Sequence, residues 1–511
     1  MRPLLPSFLL AACLGLLAPA GLLAANGKGE LEIQAVDADT SAPLAVRMIL
    51  RDARNKPIRP PVKHPFWHDH FVFDGSIQLE LPPGLYTFEM EHGPEYKTRQ
   101  GNFYLEKDAR DSKVVDMHRV VNMRKEHWYA GDLHLARNPA DLELLMKAEA
   151  LDYVSNITWW NQKSFWDKKP LPKDPLATFA DHRLAQLLEG RDDRAGSSLL
   201  LLRMTQPLEL GAPGREFPGP LTIVNQAREQ GGCQIAARSS TLWDLPMLVA
   251  AGQLDSVLVA SDAFERETIL APQAWEKPKD GSLFPGTTGA GRWAQDAYFH
   301  LLNSGLRLPP TAGSGSGLGT NPAGYNRVYV YCEEFNEKTW WDGLKQGKTV
   351  ITNGPLLRPL INGEPPGHVF QAEKGEVVEL SIALNLATRE KIEYLEVIRD
   401  GRVIHETRLD EWAKAGGKLP NVKFEQSGWL LIRAVTNASK TYRFAMTAPY
   451  YVEIGYERRI SKQSTQFMLD WLTERAKRIT TTNAEERQAV IAPFRAARDF
   501  WQQQAAKANA E

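Results

Sequence analysis

Between residues 126 and about 355, strand-like runs alternate with helix-like ones, and this alternation constrains the fold more than any other feature. The strand-like runs are "YVSNITWW", "SSLLLLRM", "GCQIAA", "DSVLVAS" and "NRVYVYC". In the intervening "NPADLELLMKAEALD", Asn138 suits an N-cap, Pro139 the first helical position and Asp141 the first turn. Leu142, Leu145, Met146 and Glu149 then recur at helical spacing, three apolar and one polar. Strands separated by helices return in the same direction, which predicts an α/β unit with a central parallel sheet or barrel. The sequence on either side has a different period. "LEIQAVDA", "LAVRMILRDA", "SIQLELP" and "LYTFEMEH" alternate apolar and polar residues between turns such as "DGS" and "PPG". Residues 356 to 457 do the same, with a hairpin signal at "RDGR". Both flanks predict small β-sandwiches. Beyond Ser461 the pattern predicts two amphipathic helices. The second starts at Asn483 with Glu486 in a capping-box-like position, and buries Phe494, Ala497, Phe500 and Trp501.

The expected fold class is therefore multidomain α/β plus β. Its units are a leader at 1–25, a β-sandwich at 26–125, the α/β unit at 126–355, a second β-sandwich at 356–457 and a helical hairpin at 458–511. The glycine-rich "AGSGSGLGTNPAG", residues 312 to 324, reads as a flexible loop. A chain of 511 residues is long enough for roughly three or four units, consistent with this division. Acidic and basic residues nearly cancel, 62 against 61, so no overall field recruits nucleic acid. Arg2 followed by a Leu/Ala-rich run that ends in small residues near Ala20 to Ala25 reads as a secretory signal. The expected location is thus secreted or periplasmic, with no integral membrane span after cleavage. An uncleaved anchor and a lipoprotein attached at Cys13 in "LAAC" are the alternatives. The mature chain keeps Cys233 and Cys332, which an oxidising compartment allows to pair or to remain separate buried thiols.

The chemistry is concentrated at "WYAGDLHLAR", where Asp132 and His134 lie on one face of a strand. A second histidine two residues after His134 would complete a metal-binding pair, but that position is Ala136. This segment, "WDLPMLVAAGQLDSVLVAS", "LLNSGLRLPPTAGSGSG" and the long "GYNRVYVYCEEFNEKTWWDGLKQGKTVITNGPLLRPLINGEPPG" together resemble one family. It is the carbaryl-hydrolase-type (CehA/McbA) branch of the PHP metallohydrolase superfamily, and the resemblance spans nearly the whole mature chain. It implies a distorted (β/α) barrel with its site at the carboxyl ends of the strands, and a divalent metal pair held by His, Asp and Glu. The same comparison shows what is missing. Where the family has "GDLHxH", "TDHN", "AHP" and "GSDxH", this chain has "GDLHLA", "TWWN", "AAR" and "GSGSG". Gly315 and Gly317 stand where the last motif's Asp and His would be. His134 and Asp132 remain, too few to hold a catalytic metal.

Two readings follow. In the first, the metal site has decayed and the protein binds a small molecule or saccharide without catalysis. In the second, it is a hydrolase of ester, amide, carbamate or phosphoester bonds with a reduced or relocated site, needing a divalent metal such as Zn or Mn. Asp132, His134 and Asp262 in "ASDAF" are the candidate catalytic residues; alternatively Asp132 and His134 are an inherited hydrogen-bonded pair, and Asp262 a turn cap. Asp132 and His134 are also the candidate metal ligands. In "HPFWHDHF", His68 and His70 share a face if the segment is a strand, with His64 reachable through a bend, so the three form either a relocated cluster or packing against the barrel. Arg137, Arg238, Arg307 and Arg327 fall near strand ends and would suit an anionic ligand, or else pair with structural carboxylates. Trp160 and Asn161 fill the second ligand motif, and Trp159, Trp160 and Trp243 are either stacking platforms or buried core.

Overall fold

The computed structural model describes residues 27–161, 163–209, 213–481 and 483–511. The leader and the alternatives at Cys13 lie outside these residues. The described chain is β-rich, 37% strand against 21% helix, with several sheets and a C-terminal helix pair. No helix among the described residues is long and apolar enough to cross a membrane.

Residues 27–120 form two sheets around one apolar cluster. Strand Gly29–Asp37 lies between Ser76–Leu81 and Arg110–Met117, and Ala45–Asp52 lies in a five-stranded sheet with His70–Asp74 and Gly84–Glu91 beside it. Their alternating side chains, including Leu31, Ile33, Met48, Phe71 and Leu79, meet in a shared core.

The central sheet is built around Trp128–Leu135. This strand runs parallel to Tyr153–Trp160 and antiparallel to Arg327–Tyr331. Gly131 is required here because a Cβ would stand 2.4 Å from the Trp340 ring. Tyr153–Trp160 pairs in parallel with Leu184–Arg194, and Ser256–Ala260 pairs in parallel with both Gln234–Ala237 and Pro310–Ala312. Helices Leu142–Ala148, Pro220–Glu229, Leu245–Ala250 and Gly289–Asn303 connect or cover these strands. The uninterrupted strand–helix alternation expected from sequence fails at several places: among the described residues no α-helix separates Tyr153–Trp160 from Leu184–Arg194, nor Pro310–Ala312 from Arg327–Tyr331. Leu184–Arg194 turns directly into Ser197–Leu202 as an antiparallel hairpin, because Ala195 takes φ +40° and Gly196 follows it. The sheet is therefore mixed.

The C-terminal strands continue this sheet. Thr349–Thr352 bonds to Arg327–Tyr331 on one side and to Phe444–Thr447 on the other, so backbone hydrogen bonds cross the expected boundary at 355. Helices Lys462–Lys477 and Ala484–Ala506 then pack back on the centre. Asn483 caps the second through Glu485 and Glu486, and Val490, Phe494, Ala497 and Trp501 are its buried face, with Phe500 half-buried. Trp501 donates from Nε1 to the Pro246 carbonyl at 3.0 Å. Arg475, also buried, reaches Asp244 and Glu216, each at 2.7 Å.

The N-terminal sheets close over one end of the central unit. Arg47 pairs with Glu91 and, at 2.7 Å, with Glu149. This explains the polar residue in the apolar stripe of the Leu142–Ala148 region: Glu149 is buried as the partner of Arg47. Trp67 donates to the Gly319 carbonyl at 2.8 Å and lies beneath the Arg137 guanidinium, 5.0 Å from it.

Cys233 and Cys332 are separate, buried free thiols. Burial pushes the first up to about 12 and the second up to about 11, which keeps both protonated.

Candidate functional site

Period-two geometry points Asp132 and His134 to the same face of Trp128–Leu135, and both are fully buried. They do different things. Asp132 accepts from the backbone N–H groups of His134 (3.0 Å), Ser314 (3.0 Å) and Gly324 (2.7 Å), and from the Ser314 hydroxyl. Burial raises its carboxyl above the usual range, and these four donors oppose the shift. Three of these four bonds hold residues 314 to 324 against the strand, so Asp132 anchors a loop.

His134 faces a cluster of two arginines and two aspartates. Its Nε2 lies 3.2 Å from Arg191 Nη1, and its Nδ1 lies 3.8 Å from Asp262 with no hydrogen-bond partner. Arg191 also pairs with Asp193 at 2.7 Å. Arg238 grips Asp262 with two parallel bonds, 3.0 Å from Nε and 2.5 Å from Nη2, and reaches Asp193 at 3.1 Å. Its plane lies 4.8 Å from the Trp275 ring. Burial pushes His134 well below the ordinary imidazole range; Asp262 opposes this and the two arginines add to it, so the ring is neutral. Burial alone would raise Asp262, but Arg238, with His134 and Arg191, holds it far below the carboxylate range. The cluster thus balances two guanidinium charges against two carboxylates around an uncharged imidazole.

These residues do not fit a divalent cation. A metal would have to approach the Nδ1 of His134 and Asp262 beside two fixed positive charges. Among the described residues no three His, Cys, Asp or Glu side chains converge to hold one. The Gly-rich segment closes the space further. A Cβ on Gly315, at φ +64°, would stand 2.4 Å from the Asp262 Cβ. A Cβ on Gly317, at φ +98°, would stand 2.0 Å from the Ala136 carbonyl oxygen. Ala136 in turn donates its N–H to the Ser316 carbonyl at 2.8 Å. Residues 312 to 316 are buried and Gly317 half-buried, rather than a flexible loop: their glycines permit close backbone approach. Gly315→Asp and Gly317→His, which would introduce the residue types of the resembled motif, are each expected to destabilise the fold by about 2 kcal/mol or more and to bring no metal. Thermal unfolding with and without added zinc checks this.

The structure distributes the remaining candidates. Arg137 is buried over Trp67 and donates to the Ser316 hydroxyl at 3.2 Å, where burial lowers it to about 10. Arg327 donates to the carbonyls of Gly324 and Glu149, so it organises backbone. Arg307 pairs with Glu453 and stacks on Tyr451, in a different part of the molecule. Trp159 is core, donating to the Leu188 carbonyl and packing over Gly190. Trp243 is buried beneath Lys277 and Arg478. Trp160 and Asn161 are half-buried at the strand end, and Asn161 takes φ +47°. The relocated histidine cluster does not form. Trp67 pairs with His70 across a hairpin whose turn is His68 and Asp69, so alternation is broken at His68, which has φ +52°. His68 is exposed, His64 half-buried and His70 buried against Asp69 at 3.1 Å, where burial lowers it to about 3.

Arg191 and Asp193 were not singled out from sequence. Their signal is "EGRDDR", residues 189 to 194, where charges recur at alternate positions inside a run that otherwise reads as a strand. Buried charge at such spacing implies partners on a neighbouring strand.

No family model and no curated protein matches the chain. Solved structures similar to parts of it include the Bacillus anthracis TIE protein, 22% identical over 22% of this chain and 20% of that one, with a TM-score of 0.15. A pilus-presented adhesin is 10% identical over 18% of this chain and 27% of its own, with a TM-score of 0.14. A Parabacteroides merdae β-glucuronidase is 11% identical over 81% of this chain and 60% of its own, with a TM-score of 0.18. This chain therefore spans well under a third of the first two. Similarity at this level carries no argument about fold or activity.

Proposed function

We propose that this protein is a secreted, non-catalytic relative of the carbaryl-hydrolase-type PHP proteins, built on a distorted PHP-like barrel, and that it binds a small molecule or saccharide. The observation that carries this reading is the bidentate Arg238–Asp262 pair beside His134. At the position where the resemblance places a metal pair, this chain puts guanidinium groups. The family's "AHP" histidine has become Ala237, with Arg238 beside it in place of the proline, and its two closing ligands have become glycines with no room for a side chain. The four changes act together: arginine supplies positive charge where the cation would sit, and the glycines let the loop close over it.

The residues also lack the geometry for hydrolysis without metal. His134 Nδ1 is buried, and Asp262 is committed to Arg238. The cavities of 480, 560 and 910 Å³ are lined by other residues, none by His134, Asp262 or Arg238. His134 is fully buried, so a substrate reaches the imidazole only if the surrounding cluster opens. Purified protein supplied with zinc or manganese is expected to show no turnover on a panel of ester, amide, carbamate and phosphoester substrates. Metal-dependent turnover abolished by His134→Ala would overturn the reading in favour of a reduced-site hydrolase.

A further inference from the structure

The chain offers a different place for a ligand. Helix Glu337–Lys345 ends at the tight turn through Gly347, and beside it runs the segment Glu364 to Val369, which leads into the C-terminal sheet. Between them lies a cleft of about 480 Å³, with Tyr451 in its wall. Ligand-binding clefts fall in the range of roughly 300–1,000 Å³, and this one has space for a monosaccharide or a short disaccharide.

Its walls are stiff. Pro309, Pro365, Pro366 and Pro449 line it, and each has a fixed φ. Gly367 sits so close to the helix end that a Cβ would stand 2.0 Å from the Gln346 carbonyl oxygen. The Gly367 N–H is bonded to the Pro449 carbonyl at 3.0 Å, and the Tyr451 N–H to that of His368 at 2.9 Å. A cleft fixed in this way loses little entropy when a ligand enters.

Its charge is one-sided. Lys345, Lys348 and Arg307 line it, against one lining carboxylate, Glu364, which faces His368 at 3.3 Å. Arg307 is held over the Tyr451 ring at 4.6 Å by Glu453, and its Nε is buried without a hydrogen-bond partner. Neither lysine makes an ion pair among the described residues, so both ammonium groups are free to meet an incoming anion. The larger depression of 910 Å³ on the N-terminal sheets differs here: Glu30, Glu32, Glu80 and Asp111 line it together with Arg59, Lys63 and Arg110, so charges of both signs nearly balance.

We infer that the cleft between helix Glu337–Lys345 and the C-terminal sheet binds a small carboxylate-bearing sugar, with Lys345 and Lys348 meeting the carboxylate and the proline and tyrosine wall meeting the ring. This rests on the non-catalytic binding reading only in supplying that reading's ligand. The two fail separately, because metal-dependent turnover bears on the buried cluster and sugar affinity bears on the cleft.

Isothermal titration calorimetry of the full chain at low salt tests it with three probes: galacturonate, galactose and inorganic sulfate. Galacturonate is expected to bind more tightly than either of the others. The double variant Lys345→Ala/Lys348→Ala is expected to weaken it by about tenfold or more, with an unchanged unfolding midpoint. Raising the ionic strength should weaken the wild type more than the variant. Three results would overturn the inference: no galacturonate binding, equal binding of galactose, or sulfate binding as tight as galacturonate. If the variant loses stability but keeps its affinity, Lys345 serves only the helix end, and the inference is again overturned.

Discussion

Arg238→Ala is expected to lower the unfolding free energy by about 3–5 kcal/mol, because it leaves the Asp262 carboxylate buried without its partner. The pair is close to fully enclosed, Arg238 and Asp262 each being 9% exposed, so solvent does little to screen the loss. Removing Arg238 also strips Asp193 of one partner and leaves Arg191 as the remaining cation beside His134. Arg238→Lys should restore only part of the stability, since an ammonium group cannot make the two parallel bonds. Replacing both residues, as Arg238→Met with Asp262→Leu, should recover most of it, because the desolvation cost of both charges is removed together. Chemical denaturation of the four proteins measures this. A loss under about 1 kcal/mol in Arg238→Ala would place the pair among surface-like contacts and contradict its role as the cluster's organising bond.

The second large effect concerns Glu189, inside the central unit. Burial pushes its carboxyl up to about 8, against the opposing N–H groups of Arg203 and Met204. Its Oε1 and the nearby Ser155 hydroxyl have no other partners, as expected for a protonated acid in an apolar wall. The unfolded chain releases this proton near the ordinary glutamate value, whereas the folded chain keeps it to about pH 8. Glu189 therefore costs nothing below that ordinary value, and stability falls by ~1.4 kcal/mol per pH unit as pH rises through the interval between the two values. Glu189→Gln keeps the shape and removes the titration. Relative to wild type, the variant should gain about 3 kcal/mol or more between pH 5 and pH 9. Parallel unfolding curves at the two pH values, with no change in the difference, would show that Glu189 is ionised in the folded protein.

Much of the architecture was legible because it depends on local period. The two-residue repeat of the flanks, the N-cap at Asn138 and the buried stripe of the last helix follow from backbone geometry alone. The hairpin at Ala195 was hidden because one positive φ in a polar turn reverses a strand without changing its composition. The cluster was half legible. His134, Arg238 and Asp262 stood out as single residues, but their union depends on three strands meeting, and Arg191 and Asp193 were not picked out at all. The glycines misled most. "GSGSG" reads as flexibility, yet each glycine marks a point where the His134 side chain, Asp262 or the Ala136 backbone approaches too closely for a side chain. The histidine-rich "HPFWHDHF" misled in the opposite way, since strand alternation was assumed through a turn.

The central proposal is that guanidinium groups stand at the position where the resemblance places a metal pair. Elemental analysis by mass spectrometry, on wild-type protein and on His134→Ala purified without chelators, tests it most directly. The expected result is zinc, manganese and iron each far below one per chain, the same in both proteins. Stoichiometric metal in the wild type that disappears in His134→Ala would contradict the claim.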